Sequence, residues 1–184
     1  MPQNERELIQ RLQRGEEAAY EQLVADFGDE LYGLAAAMLR DRTAAADVTQ
    51  ETFLGAYRGI GSFRGASSLR TWLTGILMRQ AWKAQRTRRR DPVALDRLED
   101  RAGSSSATAA ADARMDVQRM LEALSPEHHE VIVLRELQGL SYDEIVDVLG
   151  VPRGTVESRI FRARQRLMEL FRDQPRRERA GDGL

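Results

Sequence analysis

The sequence predicts an all-α fold: two small helical domains joined by a flexible linker, the C-terminal one with a helix-turn-helix. Three observations lead there. Apolar residues recur with helical period through almost every segment, and no stretch alternates as a strand would. The stretch "RDPVALDRLEDRAGSSSATAAADA" breaks that period with Pro92, Gly103 and a run of serines, which marks a linker. Beyond it, a capped helix, a glycine turn and a basic helix follow in the order of a helix-turn-helix.

Helical period places the first elements near 4–14, 16–39, 43–60 and 67–89. This gives an N-terminal domain over 1–90, a linker over 91–113, a C-terminal domain over 114–173 and a tail over 174–184. In the second domain "RMDVQRMLEAL" reads as one helix and "PEHHEVIVLREL" as the next, with Ser125 as its cap and Pro126 at its first position. Ser141 and Glu144 form an S-x-x-E capping box for "SYDEIVDVLG". Gly150 ends that helix and Pro152 opens the last one.

The chain of 184 residues carries a net charge of only −1, yet the charge is separated. Residues 79–90 hold Arg79, Lys83, Arg86, Arg88, Arg89 and Arg90 without an acid, whereas residues 1–31 hold eight acids against three bases. Separated poles imply two faces for two partners. There is no cysteine, which removes disulfides, thiolate metal sites and thiol nucleophiles. The two histidines, His128 and His129, are adjacent and point in different directions on a helix, so "EHHE" is poor material for a metal site or for catalysis. The N-terminal "MPQNERELIQ" lacks the apolar core of a signal peptide, and no apolar run approaches a membrane span. The expectation is a soluble, cytoplasmic protein that is not an enzyme, with no metal, no cofactor and no direct membrane insertion.

On a wheel of residues 153–171, Val156, Ile160, Ala163, Leu167 and Leu170 share one face, and Thr155, Ser158, Phe161, Arg162 and Gln165 share the opposite one. Phe161 is thus not a core residue of its own helix. It either packs on another segment or belongs to a surface laid in a major groove. There an arginine grips guanine and an aromatic ring meets a thymine methyl. Arg153, Arg159, Arg164 and Arg166 flank this face, where phosphates would lie.

In the N-terminal domain, "GIGSFRGASSLRTWLTGILMRQAWKAQRTRRR" sets Phe63, Trp72 and Trp82 before and among the basic residues. Rings interleaved with cations suit single-stranded nucleic acid, where bases stack and the backbone follows the charge. Tryptophans at helical spacing equally suit a core, and core is the favoured place for Trp72. The helix "DVTQETFLGAY" exposes Asp47, Gln50 and Glu51 beside Phe53 and Leu54, an ordinary amphipathic surface or a docking surface for a protein.

Together "DVTQETFLGAYRGIGSFRG", "SSLRTWLTGI" and "LSPEHHEVIVLRELQGLSYDEIVDVLGVPRGTVESRIFRARQRL" resemble the bacterial RNA polymerase sigma factors of the sigma-70 family, in the extracytoplasmic-function (ECF) group. The resemblance implies transcription initiation. The first domain, like sigma region 2, would dock on the β′ coiled coil of RNA polymerase core, then melt and read the −10 element. The second, like region 4, would bind the β-flap and read duplex DNA at the −35 element. It assigns polymerase docking to Asp47, Gln50, Glu51 and Phe53, and −10 reading and melting to Phe63, Arg64, Ser67, Arg79, Gln80, Lys83 and Arg86. It assigns −35 reading to Arg153, Thr155, Ser158, Phe161, Arg162, Arg164 and Gln165. It also implies control by an anti-sigma factor.

Some positions depart from the family pattern. Glu157 stands where relatives are often basic, Gln80 where many have asparagine and Ala84 where many have aspartate, and "TAAADVTQ" lacks an acid often found before the docking segment. The 23-residue linker reaches at most about 75–83 Å when extended, but as a coil spans only about 24–29 Å. Two promoter elements one to two DNA turns apart lie roughly 35–70 Å from each other, so the linker must be held stretched. A stand-alone helix-turn-helix regulator would not need the aromatic and basic helix at 67–89, and a decoy would have lost its arginines.

Overall fold

The computed structural model describes residues 2–39, 41–90 and 117–173; the linker and the tail lie outside the described residues. Helix α1 (Gln3–Gln13) leads to α2 (Glu17–Leu39), α3 (Arg42–Gly59), a 3-10 turn (Ile60–Ser62) and α4 (Leu69–Arg90). The second domain contains a helix over 117–122 (α5), α6 (Pro126–Ile132), a π-helical turn (Val133–Leu137), α7 (Tyr142–Leu149) and α8 (Arg153–Asp173). The described residues contain no strand.

Local chemistry sets the boundaries. Asp41 caps α3, its carboxylate accepting from the N–H of Thr43 at 2.8 Å and of Ala44 at 3.0 Å. Ser125 caps α6 with Pro126 just inside it. The capping box of α7 closes in both directions: Ser141 Oγ accepts from the Glu144 N–H at 3.3 Å, and Glu144 Oε2 accepts from the Ser141 N–H at 2.9 Å. Gly150 takes φ 66°, a conformation that a side chain would strain, and its N–H reaches the Val146 carbonyl at 2.8 Å. The turn into α8 follows at once.

Two cores result. Around α2, α3 and α4 lie Leu23, Leu31, Leu34, Leu69, Leu73 and Leu77, joined by Leu12 of α1. Between α6, α7 and α8 lie Leu134, Ile145, Val156 and Ile160. Each such side chain contributes roughly 1.5–3 kcal/mol when fully buried.

The domains also touch, which the sequence reading does not anticipate. α4 packs on α7, and the π-turn packs on α2. Leu69, Leu73 and Ile76 lie on one side of α4, while Thr71, Thr74, Met78 and Trp82 lie on the other, within an arc of about 80°. Thr71 is 2% exposed, and Thr74 and Met78 are fully covered. Among the described residues, hydrogen bonds cross the contact. Thr71 Oγ1 donates to Glu144 Oε1 at 2.8 Å, and Trp82 Nε1 donates to Glu130 Oε1 at 2.7 Å.

Candidate nucleic-acid interface

Helix α8 turns Val156, Ile160 and Ala163 inward and leaves Ser158, Phe161, Arg162 and Gln165 exposed, with Thr155 half-buried. Phe161 keeps 62% of its surface in solvent, so it is not packed on another described segment. The arginines of this helix differ from one another. Arg153 is tied to Asp143 and, at 3.0 Å, to Glu157; Arg164 meets Glu136 at 2.7 Å and Arg166 meets Glu169 at 3.0 Å. The hydrogen bonds from Arg153 to Glu157 and Asp143 raise its pKa further. Arg162 has no salt bridge among the described residues. Glu157 thus sits on the exposed side of α8 as the partner of Arg153, one turn away.

The loop over 62–68 is braced from a distance. Gln13 Nε2 donates to the carbonyls of Ile60 at 3.2 Å and Phe63 at 3.1 Å, and the Glu5 carboxylate accepts from the Leu69 N–H. Ser68 Oγ accepts from the Thr71 N–H at 3.0 Å and so starts α4. Gly65 supplies the turn at φ 71°. Phe63 is buried, its ring 5.0 Å from that of half-buried Trp72, so it supports the loop from beneath. Arg64 is exposed and Ser67 half-buried. Along α4, Arg79, Lys83 and Arg86 are exposed on the flank between its two buried sides, and Gln80 is half-buried. None of these three cations has a salt bridge among the described residues. Arg88, by contrast, is tied to Asp41 at 3.0 Å.

On α3, Asp47, Gln50, Glu51 and Leu54 form an exposed stripe at helical spacing, with Phe53 half-buried beside it. Val48 and Thr52 face inward, and Thr52 Oγ1 donates to the Val48 carbonyl at 2.7 Å. In the second domain, Val117, Met120, Leu121, Leu167, Met168 and Phe171 line an apolar groove of about 570 Å³ between α5 and the end of α8. This groove was not read from the sequence. Its signal was the exposed-side pair Met168 and Phe171, whose partners Val117, Met120 and Leu121 lie on α5, far away in the sequence of the same domain.

Two carboxylates at the domain contact behave oppositely. Burial pushes the Glu130 pKa up, against the Trp82 N–H and Arg159, which pull it down. Burial also opposes ionisation of Glu144, but the N–H and hydroxyl of Ser141 and the Thr71 hydroxyl win, leaving its pKa lowered. No cluster of three or more histidines, aspartates or glutamates suited to a metal ion occurs among the described residues. No described helix is long and apolar enough to cross a membrane.

Residues 23–91 match the family model for sigma-70 region 2, and residues 114–167 the model for sigma-70, region 4. The RNA polymerase sigma-H factor of Pseudomonas aeruginosa is 34% identical over 176 residues, which span 89% of this chain and 91% of that protein. The chain belongs to the sigma-70 family. Its relatives place it in the ECF group of sigma factors: the ECF RNA polymerase sigma-E factor of Haemophilus influenzae is 36% identical over 86% of this chain and 90% of its own. Two solved structures agree. CnrH in complex with the cytosolic domain of CnrY matches with a TM-score of 0.73 at 29% identity, covering 93% of this chain and 99% of CnrH. The sigma factor RpoE in complex with the anti-sigma factor NepR, from Bartonella quintana, matches with a TM-score of 0.68 at 28% identity, covering 85% and 98%.

Proposed function

We propose that this sigma factor binds RNA polymerase core, directs it to promoters through −10 and −35 elements and helps to melt them. The observation that carries the reading is the outer face of α8. There Ser158, Phe161, Arg162 and Gln165 stand in solvent on the second helix of a capped helix-turn-helix, and Arg162 is not engaged by any described acid. Arg162 reads a base, Thr155 lies at the edge of this face, and Arg153 and Arg164 take phosphates once their carboxylates release them. At the −10 element, Arg64 and Ser67 present the loop to a displaced base, while Arg79, Lys83 and Arg86 follow the backbone of the melted strand and Gln80 supports them. Phe63 acts by holding the loop against Trp72. Asp47, Gln50, Glu51 and Phe53 dock on the β′ coiled coil, and the apolar groove between α5 and α8 takes the β-flap. An anti-sigma factor is the natural inhibitor, given the NepR complex of the relative. Nucleotide addition belongs to the polymerase core. Run-off transcription from a pooled promoter library, with core polymerase and with or without this chain, tests the reading. New discrete transcripts that need the chain support it. Their absence, together with no complex with core, refutes it.

A further inference from the structure

The loop assigned to the displaced −10 base is held at both ends by a helix that lies outside the matched region. α1 precedes residue 23, where the likeness to sigma-70 region 2 begins, yet its side chains bond the backbone at the entry and the exit of the loop. We propose that Gln13 and Glu5 are positioning residues: they pre-organise the loop over 62–68 and so set how sharply the chain discriminates among bases at the −10 element. The proposal rests on the promoter-reading assignment above.

The geometry is that of a two-point clamp. At the entry, Gln13 Nε2 donates to the carbonyls of Ile60 at 3.2 Å and Phe63 at 3.1 Å, which bracket the point where the 3-10 turn opens into the loop. At the exit, the Glu5 carboxylate accepts from the N–H of Leu69, the first residue of α4. That amide has no partner within its own helix, and the helix dipole favours a carboxylate there. Glu5 thus joins Ser68, which accepts from the Thr71 N–H at 3.0 Å, in fixing where α4 starts. The two clamping residues lie roughly 12 Å apart along α1. Between them Leu8, Ile9 and Leu12 are buried, and α1 packs on α2 and on the 3-10 turn. Tyr20 Oη adds a tie by donating to the Leu12 carbonyl at 3.1 Å.

Between the clamped ends, Gly65 turns the chain at φ 71°, and Arg64 and Ala66 are exposed. A glycine-centred loop has many conformations open to it unless its ends are fixed. Extruding a base from the stack costs binding free energy, and a loop that must be ordered at the same moment adds to that cost. Fixing the ends beforehand removes the second cost. It also keeps the reading groups in one geometry, so a wrong base is rejected rather than accommodated. Gln13 is exposed and Glu5 half-buried, and neither belongs to the apolar core. Their loss therefore falls on the loop more than on folding.

The test is open-complex formation by holoenzyme made with the full chain, on a promoter set carrying every single-base change across −10 and a second set across −35. Gln13→Ala and Glu5→Ala should compress the base preference at one −10 position about fivefold or more, with −35 preferences and core affinity unchanged. Gln13→Glu keeps the shape but loses the N–H donors, so it should match Gln13→Ala. Glu5→Gln keeps an acceptor for the Leu69 N–H and should stay close to the parent. Gln10→Ala, exposed on the same helix, should behave as the parent and controls for α1 itself. An equal loss at every −10 base, in step with a fall in the urea midpoint, would overturn the proposal and leave both residues a purely structural role. Unchanged −10 preferences in the Gln13 and Glu5 alanine variants of a selective parent would overturn it too, with the proposed function intact. A parent that forms open complexes without any −10 preference would refute the proposed −10 reading, and this inference with it.

Discussion

Neighbouring residues on α8 should respond in opposite ways to truncation. Ile160 is 1% exposed and Phe161 is 62% exposed. Removing a buried isoleucine side chain leaves a cavity, so Ile160→Ala should cost about 2–5 kcal/mol of stability. A phenylalanine offers roughly 200 Å² to burial, of which about 75 Å² is covered at Phe161; at about 25 cal/mol per Å² that is at most about 1.9 kcal/mol. A compact denatured state lowers this figure by roughly 10–40%. Alanine is also the better helix former by about half a kcal/mol, which leaves Phe161→Ala near 1 kcal/mol or below. In transcription the order reverses. Phe161→Ala should lose about fivefold or more on promoters that depend on the −35 element, the equivalent of about 1 kcal/mol for one base contact. Urea denaturation and run-off transcription of both variants read the two effects. If Phe161→Ala destabilises as much as Ile160→Ala and leaves −35 dependence intact, the ring is a packing residue and the face is misassigned.

Other expectations follow from the same surface. Arg162→Ala should cost about 1–3 kcal/mol at a single −35 base pair, measured by transcription from a set of −35 substitutions; an equal loss on every sequence would make it a phosphate contact. Glu157→Gln frees Arg153 from one competing carboxylate, so holoenzyme should bind promoters more tightly and with a steeper salt slope, while stability changes by about 0.5 kcal/mol or less. Because the Glu130 pKa is raised in the folded chain, that chain holds more protons than the unfolded one just above the ordinary glutamate range. Its stability contribution therefore falls as pH rises through this window. Glu130→Gln keeps an acceptor for Trp82 without the buried charge. Its melting temperature should exceed the parent's at neutral pH, and the gap should close as pH falls towards the ordinary glutamate pKa.

The helix-turn-helix was legible because its signals are local. Ser125, Pro126, Ser141, Glu144, Gly150 and Pro152 each act within four residues, and the wheel of α8 needs only its own sequence. The helix boundaries of the first domain follow for the same reason. What escaped depends on residues far apart in the chain. Glu144 reads as a capping acid, yet it also accepts from Thr71, 73 residues away. Trp82 reads as a ring among cations, and its N–H is held by Glu130, 48 residues away. Phe63 reads as a stacking platform, but Trp72 covers it. A clue was present in α4 itself, where Thr71, Thr74 and Met78 form a second uncharged side opposite the leucines. A helix uncharged on two sides is covered on both. Periodicity does not say by what.

The brace beneath the loop has a practical consequence for chimeras. Glu5 and Gln13 hold the backbone of Ile60, Phe63 and Leu69, yet both residues precede position 23, where the match to sigma-70 region 2 begins. A promoter-specificity swap cut at that boundary would transplant the loop while leaving its support behind. Grafts between relatives should carry α1 along with the segment it steadies. Otherwise an altered −10 preference would report a sagging loop and be mistaken for a change in the bases it was meant to read.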